Sequence, residues 1–433
     1  MKSGTACALF LMLLTPGVGA QPLPGPASPP AAADKSSPDW LLWGGPGRNF
    51  ISPARGLAES WPPTGPPVLW RRELGEGYAA IAAEGGRLYT TYHRVQPYWL
   101  VFSEQQEVVA ALDARTGATV WEYASPSTFR SAPGPGPHVM PQIVGGRLFT
   151  IGSSGKLLAL DKGTGKLLWQ HDLYEEFGGT RLEYGYSSHP LPYKDNLIVL
   201  VGGQGKGLIS FKQATGEVVW ARGSFKNAHS APILIDVGGQ SQVVALVADH
   251  IFGADPDTGT GIWSFPHKTD YGLAVSTPVW GDDGLLFFSS SYGGGGRALR
   301  LSRDNGKTRV EGVWHNPRVR VHFGSVVRLG DVLYASSGHD GPAPLTAVDV
   351  RSGAILWQSR EFAKASFVWA DGKLIVVDQD GYLALATATP DGLKIHAKVP
   401  LLSSNAWTAP TLAGSHLYIR DRKIILALDI GRP

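Results

Sequence analysis

Three histidines and two aspartates in this sequence have side chains suited to a metal site or to proton transfer. His138, His229 and His322 carry imidazoles that can bind a transition metal, and Asp249 and Asp340 carry carboxylates that can act as a general base. The histidines belong to different repeats of the chain and have no carboxylates at a recognisable spacing. The pattern therefore favours ordinary polar lining over a metal site, and turn caps over catalytic aspartates, so it identifies no catalytic residue.

Other common signatures of chemistry are weak. The glycine-rich stretches Gly202–Gly207 and Gly293–Gly296 neither end in Gly-Lys-Ser/Thr nor open a helical pattern, so a phosphate-binding loop is not indicated. The Gly-x-Ser-x-Gly signature of many hydrolases is absent. A net charge of +3, without a basic run interleaved with aromatics, gives little support for nucleic-acid binding.

The elements that would position these residues are repeats of one short pattern that ends in tryptophan. Examples are ALDARTGATVWEY, ALDKGTGKLLWQH and AVDVRSGAILWQS. In five copies the tryptophan follows a glycine by four residues: Gly117, Gly165, Gly216, Gly259 and Gly353. The pattern predicts one structural unit copied around an axis, with packing between neighbouring units assigned to Trp70, Trp121, Trp169, Trp220, Trp263, Trp314 and Trp357.

The repeat length predicts the blades of a β-propeller. From Trp121 onward the tryptophans are 48, 51, 43, 51 and 43 residues apart, which is enough for four strands per unit. Alternating β-branched segments, separated by Gly, Asn and Asp turns, favour antiparallel strands, and no amphipathic helical pattern competes. We therefore predict an all-β fold.

The two ends of the chain determine the number of blades. The seventh unit has His396 in the apparent tryptophan slot, and the eighth stops at Asp429 before its last strand. The unpaired strand at Val68–Trp70 supplies what the eighth unit lacks. We predict that it completes that blade, which closes an eight-bladed ring and removes open sheet edges.

Aligned blade starts give two columns near the axis. The residues of the first column are small and most carry hydroxyls, as expected where innermost strands crowd together: Ala79, Val139, Ser188, Ser230, Ser276, Ser325, Ser366 and Thr408. The residue before each of these is more varied and includes Val275, Gly324 and Ala365. We predict that this second column surrounds one mouth of the channel and that its binding surface comprises Tyr78, His138, Ser187, His229 and Trp407.

The composition of the first 38 residues predicts a signal peptide followed by a linker. Lys2, the apolar run Ala6–Leu14 and the small residues Val18–Ala20 predict a signal peptide over residues 1–20, too short in its apolar core to be a permanent span. The only cysteine, Cys7, falls within it, with too little apolar sequence before it for a lipid-anchor signal. Residues 21–38 are rich in Pro, Ala and Ser and predict an extended linker.

The repeat resembles that of the quinoprotein-type (PQQ-like) propeller proteins. The shared signature A-x-D-x-x-T-G-x-x-x-W is matched best at Ala111–Trp121, Ala159–Trp169 and Ala347–Trp357, and the resemblance covers about residues 66–430. It implies one of two activities. One branch consists of exported PQQ-dependent alcohol and sugar dehydrogenases that hold the quinone with Ca²⁺, and the other of non-catalytic propellers of the BamB type.

A dehydrogenase of that kind needs a flat aromatic to stack on the quinone, a carboxylate base and oxygen ligands for Ca²⁺. Trp407 is the weak candidate for the stacking residue, with Asp340 or Asp249 as the base. No adjacent cysteines are present to form the ring found over the quinone in many of these dehydrogenases. A mouth without converging carboxylates would argue against the enzyme.

Two segments outside the repeat are expected to cover the propeller. The insertion His93–Glu104 carries the apolar run YWLVF and is expected either to fold over the channel mouth, which we favour, or to face a partner. Residues 39–65, with Trp40, Trp43 and Trp61, are expected to form an N-terminal cap along the blade edges, before a propeller of residues 66–433.

The sequence therefore predicts an exported, monomeric eight-bladed propeller, periplasmic or extracellular, that acts as a non-catalytic binding or assembly scaffold similar to BamB-type proteins. Its expected partner is a protein, peptide or envelope component at the propeller mouth, and no cofactor is expected. The alternative is an oxidoreductase that uses PQQ and Ca²⁺.

Overall fold

The computed structural model describes Met1 and residues 39–99, 102–131, 134, 136–338, 343–403 and 405–432. The predicted signal peptide after Met1, the predicted linker and Asp340 lie outside these residues. Within them the regular structure consists of β-strands, and no helix is long and apolar enough to cross a membrane.

The described residues form eight four-stranded antiparallel sheets, each of which is one blade. Blades 1 to 4 contain β2 (Ala82–Glu84), β3 (Arg87–Trp99), β4 (Phe102–Asp113), β5 (Thr119–Pro126); β6 (Gln142–Val144), β7 (Arg147–Ile151), β8 (Lys156–Asp161), β9 (Leu167–Asp172); β10 (Leu191–Tyr193), β11 (Asn196–Leu200), β12 (Leu208–Lys212), β13 (Val218–Arg222); β14 (Ile233–Val237), β15 (Gln240–Leu246), β16 (His250–Ala254) and β17 (Gly261–Pro266).

The other four blades follow the same order, except that the last takes its outer strand from the start of the chain. They contain β18 (Val279–Trp280), β19 (Leu285–Ser290), β20 (Gly295–Asp304), β21 (Lys307–Asn316); β22 (Val321–Leu329), β23 (Val332–Ser337), β24 (Leu345–Asp349), β25 (Ile355–Ser359); β26 (Ala365–Ala370), β27 (Lys373–Asp378), β28 (Tyr382–Thr389), β29 (Gly392–Pro400); β30 (Thr411–Ala413), β31 (His416–Arg420), β32 (Ile424–Asp429) and β1 (Val68–Glu73).

The predicted ring closure is confirmed. β1 pairs with β32 in an antiparallel register that includes Trp70↔Ala427 and Glu73↔Ile424, so the two ends of the chain share blade 8. Middle strands such as β11 and β19 are almost wholly buried because a neighbouring blade covers each face, whereas outer strands such as β5 alternate between exposed and half-buried residues.

A fully buried arginine joins the last blade to the first. Arg420 in β31 donates from Nη1 to the carbonyl oxygens of Ala79 and Thr91, at 3.3 and 3.0 Å, and to the hydroxyl of Thr90 at 3.1 Å. Burial lowers its pKa to about 10, so the guanidinium is still charged at neutral pH. These hydrogen bonds satisfy buried backbone acceptors where the two ends of the repeat array meet.

The repeated turn is organised by its aspartate. Asp161 accepts hydrogen bonds at one carboxylate oxygen from the N–H and the hydroxyl of Thr164, at 2.8 and 2.7 Å, and these bonds lower its pKa. The next residue, Gly165, has φ +72°, a conformation that glycine adopts without steric cost. The Asp-x-x-Thr-Gly sequence therefore builds a specific tight turn between β8 and β9.

The tryptophan of the preceding blade packs on that turn. Trp121 of blade 1 donates from Nε1 to the carbonyl oxygen of Lys162 at 3.0 Å, and its ring covers Gly165 so closely that an added methyl group would lie 2.4 Å from Cε3. The same donation to a turn carbonyl of the next blade is made by Trp70, Trp169, Trp314 and Trp357.

Two tryptophans depart from this arrangement. Trp263 donates to Gln242 Oε1 at 2.7 Å, and the amide nitrogen of Gln242 donates to Thr308 of blade 5, also at 2.7 Å, so this contact with the next blade is indirect. Trp220 covers Gly259, but its buried Nε1 has no hydrogen-bond partner among the described residues.

In the seventh blade, the residue at the tryptophan position is not the one that the sequence alignment assigned. The register skips His396 as a bulge and pairs Ala397 with Leu385, the position that tryptophan occupies in the other blades. The assignment of His396 to this slot was wrong. Blade 8 has no hairpin turn at that place, because its outer strands come from opposite ends of the chain, and so no turn is present for a tryptophan to cover.

The insertion in blade 1 continues as a regular β-ribbon. β3 and β4 pair from Arg87↔Asp113 through His93↔Glu107 to Trp99↔Phe102, well beyond the five or six residues of most other middle strands. Residues 100 and 101 lie outside the described part of the chain, so the cover of the mouth by this insertion stays a prediction.

We predict that Gly165→Ala lowers the free energy of unfolding by about 2–4 kcal/mol, because the new methyl group meets both positive φ and the ring of Trp121. Urea unfolding of the purified chain measures this loss. Gly145→Ala is the matched control, since Gly145 has φ +55° but open space around it, and should cost only about 1 kcal/mol. Equal losses in the two variants would contradict a stabilising role of the indole contact.

Candidate functional site

A cavity of about 450 Å³ lies among the innermost ends of the blades. Each residue of the predicted mouth surface lines it: Tyr78, His138, Ser187, His229 and Trp407. Each precedes the innermost strand of its own blade, so five separate blades contribute one residue each. The fold therefore brings together side chains that are up to 329 residues apart in the sequence.

The column of small residues holds neighbouring blades together behind this surface. Ser230 donates to the carbonyl oxygen of Ser276 in the next blade at 2.9 Å, and Thr408 of blade 8 donates to that of Tyr78 in blade 1 at 3.0 Å. Ser325 donates to Phe367 in the same way at 2.7 Å. These buried bonds fix the backbone positions from which the mouth residues project.

A second layer of lining residues stands two positions further along the same segments. His189, Ala231, Thr277 and Ala409 follow Ser187, His229, Val275 and Trp407 by two residues each. Alternate residues of an extended chain point to the same side, so both members of each pair face the axis. The sequence alignment identified the first layer and missed the second, although this period of two was available to find it.

The inner end of the cavity is lined by Trp43, a residue of the segment before the propeller. Trp43 stacks on His189 with ring centroids 4.1 Å apart and donates from Nε1 to Thr277 Oγ1 at 3.0 Å. Its backbone N–H donates to Gln142 Oε1 at 2.9 Å. Blades 3 and 5 thus hold the indole of Trp43, and blade 2 holds its backbone.

Other residues of the segment 39–58 form bridges with the innermost strands of two blades and with the chain after β32. Trp40 forms a bridge with Ala83 of blade 1, Ile51 with Trp369 of blade 7, and Leu57 with Gly431 after blade 8. These bridges therefore join the segment to three consecutive blades of the ring. The strands β2 and β26 are edge strands of their sheets, and the assignment of residues 39–65 as an N-terminal cap stays a prediction.

The rim of the mouth is mostly aromatic. Trp407 stacks on Tyr78 with centroids 5.1 Å apart, and Tyr78 stacks on His138 at 5.2 Å. Phe323 stands beside Trp407 at 5.3 Å. The indole nitrogen of Trp407 donates to Gln379 Oε1 at 3.1 Å, which fixes the ring plane.

A second group on the rim was not found from the sequence alignment. Tyr292 OH lies 3.1 Å from His322 Nε2, and Lys364 Nζ lies 3.0 Å from His322 Nδ1 and 4.8 Å from the centre of the Phe323 ring. In blade 6 the alignment pointed to Gly324, but the irregular register of β22 places the two residues before it on the cavity. In blade 7 the lining residue is Lys364, which precedes the aligned Ala365.

Burial keeps three of the lining histidines, His138, His189 and His229, neutral at pH 7. Burial lowers the pKa of His138 to about 4 and those of His189 and His229 to about 3. Burial also raises the pKa of Tyr78, against the opposing effect of Arg422. His229 Nδ1 lies 2.7 Å from Ser187 Oγ, which orients its ring.

The described lining residues do not suit PQQ with Ca²⁺. They include no carboxylate, the ligand and base that such a site requires. Asp249 is exposed and lies 2.6 Å from its neighbour His250, away from the cavity lining, and one side of Trp407 is stacked on Tyr78. Among the residues that the structure describes, His, Cys, Asp and Glu form no group of three that could hold a metal ion.

Comparison with known proteins relates this chain to a family of envelope proteins. A family model described as outer membrane protein assembly factor BamB matches residues 55–187 and 175–391. The outer membrane protein assembly factor BamB of Yersinia pestis is 24% identical over 306 residues, which are 66% of this chain and 72% of that protein. The corresponding protein of Shewanella oneidensis is 22% identical over 300 residues, 65% of this chain and 71% of its own length.

Two solved structures illustrate the range of proteins that share this fold. BamB from Moraxella catarrhalis has a TM-score of 0.56 and 16% identity, with 84% of this chain and 99% of that chain covered. The quinohemoprotein alcohol dehydrogenase from Comamonas testosteroni has a TM-score of 0.62 and 14% identity, with coverage of 92% and 81%. At these identities the likeness establishes the propeller fold alone.

We predict that the free energy of unfolding falls as the pH is lowered from 7 to 5. The buried histidines stay neutral in the folded state, whereas in the unfolded state they bind protons below a pKa of about 6.5, so acid favours unfolding. His138→Gln should remove about 1–2 kcal/mol of this decrease. Urea unfolding at both pH values measures it, with His416→Gln at an exposed position as the control. A pH dependence unchanged in His138→Gln would contradict the neutral, buried state of that imidazole.

Proposed function

The chain belongs to the family described as outer membrane protein assembly factor BamB, and on this premise we propose that it is a non-catalytic binding protein that supports the assembly of other proteins in the cell envelope. Its partner is a protein that contacts the mouth of the propeller. The first 20 residues direct export, and residues 21–38 tether the propeller after the signal peptide is removed.

The composition of the mouth is the observation that carries this proposal. Six aromatic side chains and four histidines line one cavity, and the described lining includes no carboxylate. Such a surface has planar rings and few charges among the described residues, which are properties of the central part of protein-recognition sites. The described residues of this lining supply neither the base nor the oxygen ligands for Ca²⁺ that quinone oxidation would require, which supports a binding role.

The rigidity of the scaffold is a second argument for a binding role. Mouth residues sit on segments that are fixed by buried hydroxyl–carbonyl bonds between blades, such as the bond from Ser230 to Ser276. A preorganised surface loses less conformational entropy when a partner binds. The ring of blades thus presents side chains from distant parts of the chain in one fixed arrangement.

Site-specific cross-linking in the native host tests this function. A photoreactive benzoyl-phenylalanine at position 323, on the rim of the mouth, is expected to form an adduct with an outer membrane protein or with a component that assembles such proteins. The same group at position 219, an exposed site on the outer strand β13, is the control and should form little of this adduct. Deletion of the gene should also lower the amount of folded outer membrane protein, measured by heat-modifiable mobility in gels.

Two results would contradict the proposal. One is an equal yield of adducts at positions 323 and 219, which would remove the mouth as the contact surface. The other is saturable micromolar binding of PQQ with Ca²⁺ by the purified chain, measured by calorimetry and accompanied by dye reduction with an alcohol or sugar. That result would place the chain with the dehydrogenases.

A further inference from the structure

We propose that the axial cavity binds the aromatic side chain of a tyrosine or tryptophan in an extended segment of the partner protein. This inference rests on the proposed function and names the chemical group that the mouth recognises. Its basis is the size of the cavity, its aromatic lining and two buried nitrogen atoms without a hydrogen-bond partner among the described residues.

The cavity has the right size and surface for an aromatic group. Its volume of about 450 Å³ exceeds that of one aromatic side chain and lies in the range of ligand pockets. The rings of Trp407 and Tyr78 form one wall, and Tyr184 and Phe323 also line it. Stacked and edge-to-face contacts between rings stabilise an aromatic guest beyond the effect of burial alone.

Two buried nitrogen atoms favour a bound side chain whose ring carries a hydrogen-bond donor. His138 and His229 both line the cavity, and the Nε2 atom of each is buried without a hydrogen-bond partner among the described residues. A buried polar atom without a partner is unfavourable. The hydroxyl of a tyrosine or the N–H of a tryptophan can bond to such an imidazole, whereas the side chains of leucine and phenylalanine cannot.

Charged side chains are disfavoured at the same place. Transfer of an ammonium or a carboxylate into an apolar site costs free energy unless a counter-charge meets it. The described lining has no carboxylate to pair with a lysine or arginine. A neutral ring with one hydrogen-bond donor is therefore the best match to the lining.

The size of the cavity indicates how much of the partner enters it. Trp43 is held by His189, Thr277 and Gln142 and lines the cavity. The volume of about 450 Å³ accommodates a side chain rather than a folded segment. The partner segment therefore passes over the mouth and inserts a side chain, which leaves its backbone outside.

Binding of matched peptides to the purified mature chain tests the proposal. The probes are fluorescein-labelled seven-residue peptides of serine and glycine, blocked at both ends, with a central tyrosine, tryptophan, phenylalanine, leucine or lysine. Fluorescence anisotropy gives the dissociation constants. We expect the tyrosine and tryptophan peptides to bind at least tenfold more tightly than the leucine and lysine peptides.

Three variants and a control locate the guest. Trp407→Ala removes the stacking wall and Ala231→Phe fills the cavity from its second layer, and each should weaken binding of the tyrosine peptide at least tenfold. His229→Phe should abolish the preference for tyrosine over phenylalanine, which we expect to be about fivefold from a single hydrogen bond. Tyr382→Ala, an aromatic exposed on blade 7 outside the cavity, should leave binding unchanged.

Equal affinity for the tyrosine and leucine peptides would overturn the proposal, as would Trp407→Ala and Ala231→Phe binding as tightly as Tyr382→Ala. Circular dichroism checks folding, and if Trp407→Ala is unfolded, Ala231→Phe decides. Loss of peptide selectivity with the cross-link at position 323 retained would overturn this inference and leave the binding function in place. Loss of both would overturn the two together.

Discussion

The stacking of an indole ring on the glycine turn of the next blade is the contact on which the rest of the structure depends. Trp121 covers Gly165 and donates to the carbonyl oxygen of Lys162, and the same geometry recurs around the ring. Burial of one tryptophan removes roughly 150–250 Å² from water, or about 4–6 kcal/mol at most for each interface. The motif is thus a contact between two blades: its tryptophan packs on the following blade, and its aspartate, threonine and glycine form the turn that receives the preceding tryptophan.

Where the motif is interrupted, the structure uses other interactions. Blade 8 is made from both ends of the chain and has no hairpin turn to be covered, and the facing position of blade 7 is accordingly Ala397. The junction between blades 8 and 1 is held by the strand pairing of β1 and by the buried donors of Arg420. An unpaired arginine is costly to bury, so its several carbonyl partners are required at this point.

The segment before the propeller contributes one indole to the cavity at the innermost ends of the blades. Trp43 lines this cavity and is held by contacts with blades 2, 3 and 5. The result is a pocket with an aromatic rim and three neutral imidazoles. The same fold occurs in a quinohemoprotein alcohol dehydrogenase and in BamB, so the fold alone does not identify the activity of this chain.

The sequence by itself determined the blades, their number and the ring closure, because the spacing of Trp, Gly and Asp records contacts that repeat at a fixed period. It also identified Tyr78, His138, Ser187, His229 and Trp407 as one column, since equivalent positions of repeated units face the same axis. The sequence also named His322 among the polar lining, whereas only the tertiary structure placed Trp43 in the cavity and Phe323 and Lys364 on its rim. These residues lie outside the repeat or beside an irregular register, and their positions follow from packing between segments far apart in the chain, for which no local pattern exists.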